Sequence, residues 1–127
     1  MAYILVADDD PVFAEFVRRT LADRGDHITL VADGAEALRA LATARYDLLI
    51  ADIQMPVVDG IALALKASAG DPALKIVLVT GYAHQRQRAH GLSDLMEEVL
   101  SKPLTREEMA AAVERALGRP RSGPRPS

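Results

Sequence analysis

The chain has no cysteine among its 127 residues. That excludes disulfides, thiol nucleophiles and cysteine-ligated metals, and it fits a reducing compartment. No basic segment precedes a long apolar run, and no stretch approaches the length of a membrane span. The sequence therefore reads as a soluble cytoplasmic protein with no membrane partner. Basic excess is missing too. The net charge is −3, and the last ten residues, GRPRSGPRPS, hold three arginines and no acid. The remaining body carries 12 basic and 18 acidic residues, a net −6. An acidic body argues against direct nucleic-acid binding. The Pro-, Gly- and Ser-rich tail, residues 118–127, has nothing with which to build a core and is expected to be disordered. Residues 1–117 have the length of one domain.

Five short apolar runs remain: YILVA (3–7), HITLV (27–31), DLLIA (47–51), KIVLV (75–79) and EVLS (98–101). The first four show little alternation, as strands covered on both faces do. The last has the polarity of an edge strand. Helical patterns lie between them. Asp10-Pro11 predicts an N-cap followed by proline at the first helical position. Phe13, Phe16, Val17 and Leu21 then recur at helical spacing up to Gly25. Asp33/Glu36 and Thr105/Glu108 are capping-box pairs. A third helix is expected over 60–69, and a loosely held fourth over 84–92. Strands alternating with helices, with no internal repeat, imply an α/β fold: a doubly wound, flavodoxin-like (βα)5 domain. Its five-stranded parallel sheet would have the order 2-1-3-4-5.

Ligands of such sheets bind beyond the carboxyl ends of the strands. There strand 1 delivers Asp8, Asp9 and Asp10, strand 3 Asp52, strand 4 Thr80, and strand 5 Lys102. Asp10 is expected to be used by the helix cap. In the expected order strands 1 and 3 are neighbours, so Asp8, Asp9 and Asp52 converge. Three carboxylates in one crevice could share protons, or could hold a divalent cation. Hard oxygen donors without Cys or His favour Mg²⁺ or Mn²⁺ over zinc. Together with an ammonium and a hydroxyl, the site is suited to receive a phosphoryl group on a carboxylate nucleophile.

The motifs ILVADDD, DIQMPVVDG, VTG and SKP, in this order and spacing, resemble the receiver domain of two-component response regulators. The likeness runs from about Tyr3 to Leu117. It implies that Asp52 is the phospho-accepting residue. It also implies that Asp9, Asp52 and the Gln54 backbone carbonyl ligate Mg²⁺, with Asp8 acting through metal-bound water. By the same resemblance Thr80 and Lys102 contact the phosphoryl group, and Lys102–Pro103 is a cis bond. The implied partners are a histidine kinase or a histidine-phosphotransfer protein as donor, and a downstream protein effector of unknown identity. The implied catalysis is limited to self-phosphorylation and self-dephosphorylation. TGYA and VLSKPL also resemble a small group of single-domain bacterial regulators of cell-cycle proteolysis.

The sequence departs from the family at Val99, where an aromatic switch residue is usual, and Tyr82 is the candidate replacement. The alternatives to a stand-alone receiver are a receiver module derived from a hybrid histidine kinase and a phosphorylation-independent adaptor. A haloacid dehalogenase-type phosphatase would need an aspartate where Gln54 stands. A flavin site would need a Ser/Thr/Gly-rich loop where three aspartates stand. Part of the Phe13/Phe16 face is expected to stay open beside the site for a partner helix.

Overall fold

Alternation within each central strand lets one sheet serve two cores. The computed structural model describes residues 1–81 and 96–118. In β1 (Tyr3–Ala7), Ile4 and Val6 pack with Val17, Leu21 and Val113, whereas Leu5 and Ala7 pack with Ala37, Leu63 and Ala64. β3 (Leu48–Asp52) and β4 (Lys75–Thr80) divide in the same way. With β2 (His27–Val31) and β5 (Glu98–Ser101) they form a five-stranded parallel sheet in the order β2-β1-β3-β4-β5. Helices α1 (Pro11–Ala22) and α4 (Arg106–Gly118) cover one face, and α2 (Gly34–Thr43) and α3 (Gly60–Gly70) cover the other. Each fully buried Leu or Ile in these layers contributes about 1.5–3 kcal/mol of transfer free energy.

The expected caps are present. Asp10 accepts from the Val12 N–H at 3.0 Å, with Pro11 opening α1. Asp33 accepts from Glu36 N–H at 2.8 Å, but the Glu36 carboxylate accepts from Ala32 N–H at 3.3 Å instead of from Asp33 N–H, so that expected box is only half formed. Thr105 and Glu108 form both halves of a capping box, at 2.8 and 3.0 Å. The Lys102–Pro103 bond is cis.

Two readings need correction. The third strand is displaced by one residue, so that Asp52 ends β3 as a member of the ladder. β2 is not covered on both faces: His27, Thr29 and Leu30 are exposed and Ile28 and Val31 only half-buried. Its apolar composition resembles that of the central strands, but its place at the sheet edge leaves it without a second neighbour. Tyr3 stacks on His27 there, with ring centroids 4.8 Å apart. The expected helix at 84–92, Tyr82 and the tail beyond Gly118 lie outside the described residues.

Far from the carboxyl edge, Lys75 is buried at the start of β4 and donates to the Ala116 carbonyl at 3.1 Å. An ammonium at the last turn of α4 is favoured by the negative end of that helix's dipole.

Candidate functional site

Strand register sets the site. Ala7 pairs with Ala51, so the next residues, Asp8 and Asp52, leave adjacent strands side by side. Asp8 is buried and Asp9 exposed; their carboxylate oxygens and one of Asp52 lie within 4.8 Å of one another. Thr80 ends β4, 1% exposed, and its carbonyl accepts from the Lys102 N–H at 2.8 Å. That bond carries the sheet ladder past Ser101 and aims Lys102 into the crevice. The Lys102 ammonium donates to Asp52 Oδ2 at 3.0 Å and to Asp8 Oδ2 at 3.2 Å. Asp9, Asp52, Gln54, Gly81 and Lys102 line a crevice of about 400 Å³.

The loop after β3 is folded back on the strand it leaves. Gln54 N–H donates to Asp52 Oδ1 at 2.9 Å, and Gly60 N–H donates to the Ile53 carbonyl at 2.8 Å. Gly60 fits there for a steric reason: a Cβ on it would stand 2.3 Å from the Asp52 carbonyl oxygen. On the other side, a Cβ on Gly34 would stand 2.3 Å from the Val58 carbonyl oxygen. The first residues of α2 and α3 thus clamp the loop. Between them Val57 takes φ 70°, a left-handed conformation that a β-branched residue rarely adopts.

Burial raises the Asp8 pKa above its ordinary value. The Asp10 N–H works against this, the Asp52 charge adds to it, and Lys102 offsets it only in part. For Lys102 burial acts to lower the pKa, but the hydrogen bond to Asp52 and the charges of Asp8 and Asp52 outweigh it, so the pKa is raised. The site therefore keeps a firmly cationic lysine among carboxylates, one of which resists ionisation. Such a set accepts further positive charge readily. Three clustered carboxylates, with no histidine or cysteine in the cluster among the described residues, fit a hard dication such as Mg²⁺.

Every described site residue expected from the sequence lies at this one edge. The sequence reading missed the surroundings of Lys102. The Phe13 ring lies 4.2 Å from its ammonium, measured to the ring centroid. Helical spacing marks Phe13 as part of an apolar face beside the site, without pairing it with the lysine. Its place one turn into the helix that follows the aspartates was the available signal. Phe13 and Phe16 are both half-buried, so neither is lost entirely to the core.

The family model of the response regulator receiver domain matches residues 4–114. The chain belongs to this family. Among its relatives, the response regulator receiver protein CpdR of Brucella abortus is 36% identical over 117 residues. That alignment covers 92% of this chain and 98% of CpdR. The response regulator MprA of Mycobacterium ulcerans is 34% identical over 116 residues, but this chain spans only 50% of MprA. Among solved structures, Thermotoga maritima TrrA, in complex with Mg²⁺-BeF, superposes with a TM-score of 0.83 at 32% identity. It covers 92% of this chain and 100% of its own. The receiver domain of a Pseudomonas aeruginosa sensor histidine kinase, with magnesium coordinated in its active-site cleft, gives 0.82 at 32% identity. The cover is 93% of this chain and 98% of that one. Receiver domains are signalling modules rather than turnover enzymes. Among the described residues of this one, no helix is long and apolar enough to cross a membrane.

Proposed function

We propose that this receiver accepts a phosphoryl group on Asp52 and thereby switches a protein–protein interaction. The observation that carries the reading is the Asp52 carboxylate held 3.0 Å from the Lys102 ammonium, among Asp8 and Asp9, in an open crevice. The donor would be a phosphohistidine of a histidine kinase or phosphotransfer protein. An Asp52 carboxylate oxygen attacks phosphorus, the P–N bond breaks, and the imidazole leaves with its electron pair. Lys102 balances charge on the phosphoryl oxygens, and Thr80 offers a hydroxyl to one of them. Asp9, Asp52 and the Gln54 carbonyl would hold Mg²⁺, or Mn²⁺, with Asp8 acting through water. The metal would supply further charge neutralisation at the same oxygens.

The half-buried Phe13/Phe16 face lies beside this crevice and suits an apolar helix of the donor. Coverage of nearly the whole CpdR relative supports a stand-alone receiver acting on a protein effector, and a cytoplasmic place of action is part of the same proposal. The likeness to the receiver of a sensor histidine kinase favours, as a second reading, a module of a hybrid kinase. Thermal unfolding with Mg²⁺ and beryllofluoride, a phosphoryl mimic, tests the common core of both. The wild type should be stabilised by the pair together. Asp52→Asn should not be, and it should also lose labelling by acetyl phosphate. Equal stabilisation of both proteins would place the mimic elsewhere, and no stabilisation of either would favour a phosphorylation-independent adaptor.

A further inference from the structure

Lys102 has three N–H donors, and Asp8 and Asp52 take two of them. The Phe13 ring also lies against this lysine, its centroid 4.2 Å from the ammonium. This geometry lies well inside the range of cation–π attraction. We propose that Phe13 is a positioning residue for the phosphoryl-transfer site: its ring face holds the Lys102 ammonium over Asp52.

Three features support the assignment. The ring is anchored. Asp10 caps α1 and Pro11 opens it, which fixes Phe13 in the first turn. Phe16 then backs it, with ring centroids 5.8 Å apart, and both rest on the core shared by α1 and α4. The lysine, by contrast, needs anchoring. It sits on a long flexible stem beyond a four-residue edge strand, and its side chain is 21% exposed. Water can therefore compete for the ammonium. Finally, a ring face does what neither carboxylate can. It attracts the cation and shuts out water without forming a hydrogen bond that an incoming phosphoryl oxygen would have to displace. A lysine aimed in advance loses less freedom when the anion arrives.

A packing role alone would be met equally well by leucine, which fills similar space without a π-face. The inference rests on the phosphoryl-acceptor reading, so the measurement begins with wild-type affinity for beryllofluoride at saturating Mg²⁺, by calorimetry. Phe13→Leu should weaken binding about fivefold, the range of a partly exposed cation–π contact. Phe13→Tyr, which keeps the ring face, should stay within about twofold. Phe13 and Phe16 are the only phenylalanines in the chain. In a Phe16→Leu background, fluorinated phenylalanine therefore labels position 13 alone, and each added fluorine draws electron density from the ring face. Affinity should fall stepwise from no fluorine to three. This series changes almost no packing and serves even if Phe13→Leu folds poorly. A wild type that binds, together with a flat fluorination series, would reduce Phe13 to packing and overturn the proposal. A wild type that fails to bind would overturn the acceptor reading and this inference with it.

Discussion

Gly60 packs directly on the carbonyl of Asp52, so the first turn of α3 and the proposed phospho-acceptor share one close contact. A Cβ added at Gly60 would meet that oxygen at 2.3 Å and the Ile53 Cα at 2.7 Å. Both obstacles are backbone atoms, which cannot rotate away. Gly60→Ala should therefore destabilise the domain by about 1–3 kcal/mol and shift Asp52 within the site. The urea midpoint should fall, and stabilisation by Mg²⁺ with beryllofluoride should shrink. A variant that matched the wild type in both would mean that α3 can slide away freely.

Asp9 is the exposed member of the carboxylate cluster. Asp9→Ala removes one proposed hard ligand while leaving the buried pair of Asp8 and Asp52 with Lys102. The Mg²⁺ concentration needed for half-maximal acetyl phosphate labelling should rise at least about tenfold, equivalent to losing about 1.4 kcal/mol of metal affinity. An unchanged Mg²⁺ requirement would remove Asp9 from the ligand set.

Asp8 makes stability depend on pH in an unusual direction. Its folded pKa is raised above the ordinary 3.8, chiefly by burial. The unfolded chain thus loses this proton first as pH rises, and the native state must ionise a buried acid. The stability linked to Asp8 is fully present below the ordinary value and is lost as pH rises through the folded pKa. In metal-free buffer, Asp8→Asn should therefore gain little over the wild type near pH 3.5 and progressively more toward neutrality. Melting curves across that range give the comparison. A gain that shrank with rising pH would reverse the assigned direction.

Val57 is 89% exposed yet held at φ 70°. A left-handed conformation costs an L-residue with a Cβ about 1–2 kcal/mol, and glycine adopts it freely. Val57 buries little, so Val57→Gly loses little packing. After the greater chain entropy of glycine is set against the relieved strain, the variant should be more stable by up to about 1 kcal/mol. Chemical denaturation would reveal it, and a less stable variant would mean that Val57 makes a contact worth more than the strain.

The order of the described elements and the convergence of five polar residues at one edge were legible because they depend on short-range chemistry. Apolar runs, Asx caps and polar residues at strand ends repeat locally, and the topology of parallel sheets then brings Asp8, Asp9, Asp52, Thr80 and Lys102 to one edge. What escaped depends on contacts between distant segments. The place of Phe13 after the aspartates puts it near the site, but nothing there pairs its ring with a lysine 89 positions later. Val57 does not look like a left-handed residue, because a β-branched side chain gives no local sign of that conformation. HITLV has the composition of an interior strand, although the expected strand order already set it at the edge of the sheet, where it is exposed.

The hydrogen bond from Lys75 to the Ala116 carbonyl has a practical consequence. It ties the last turn of α4 to the beginning of β4, while Asp52 and Thr80 stand at the other ends of β3 and β4. Five residue steps of extended chain, about 17 Å, separate the two levels. A fluorophore, affinity handle or fused domain joined after Gly118 would therefore emerge at the end of the sheet remote from the carboxylate crevice. Immobilising the protein through that end should leave the crevice turned toward incoming partners.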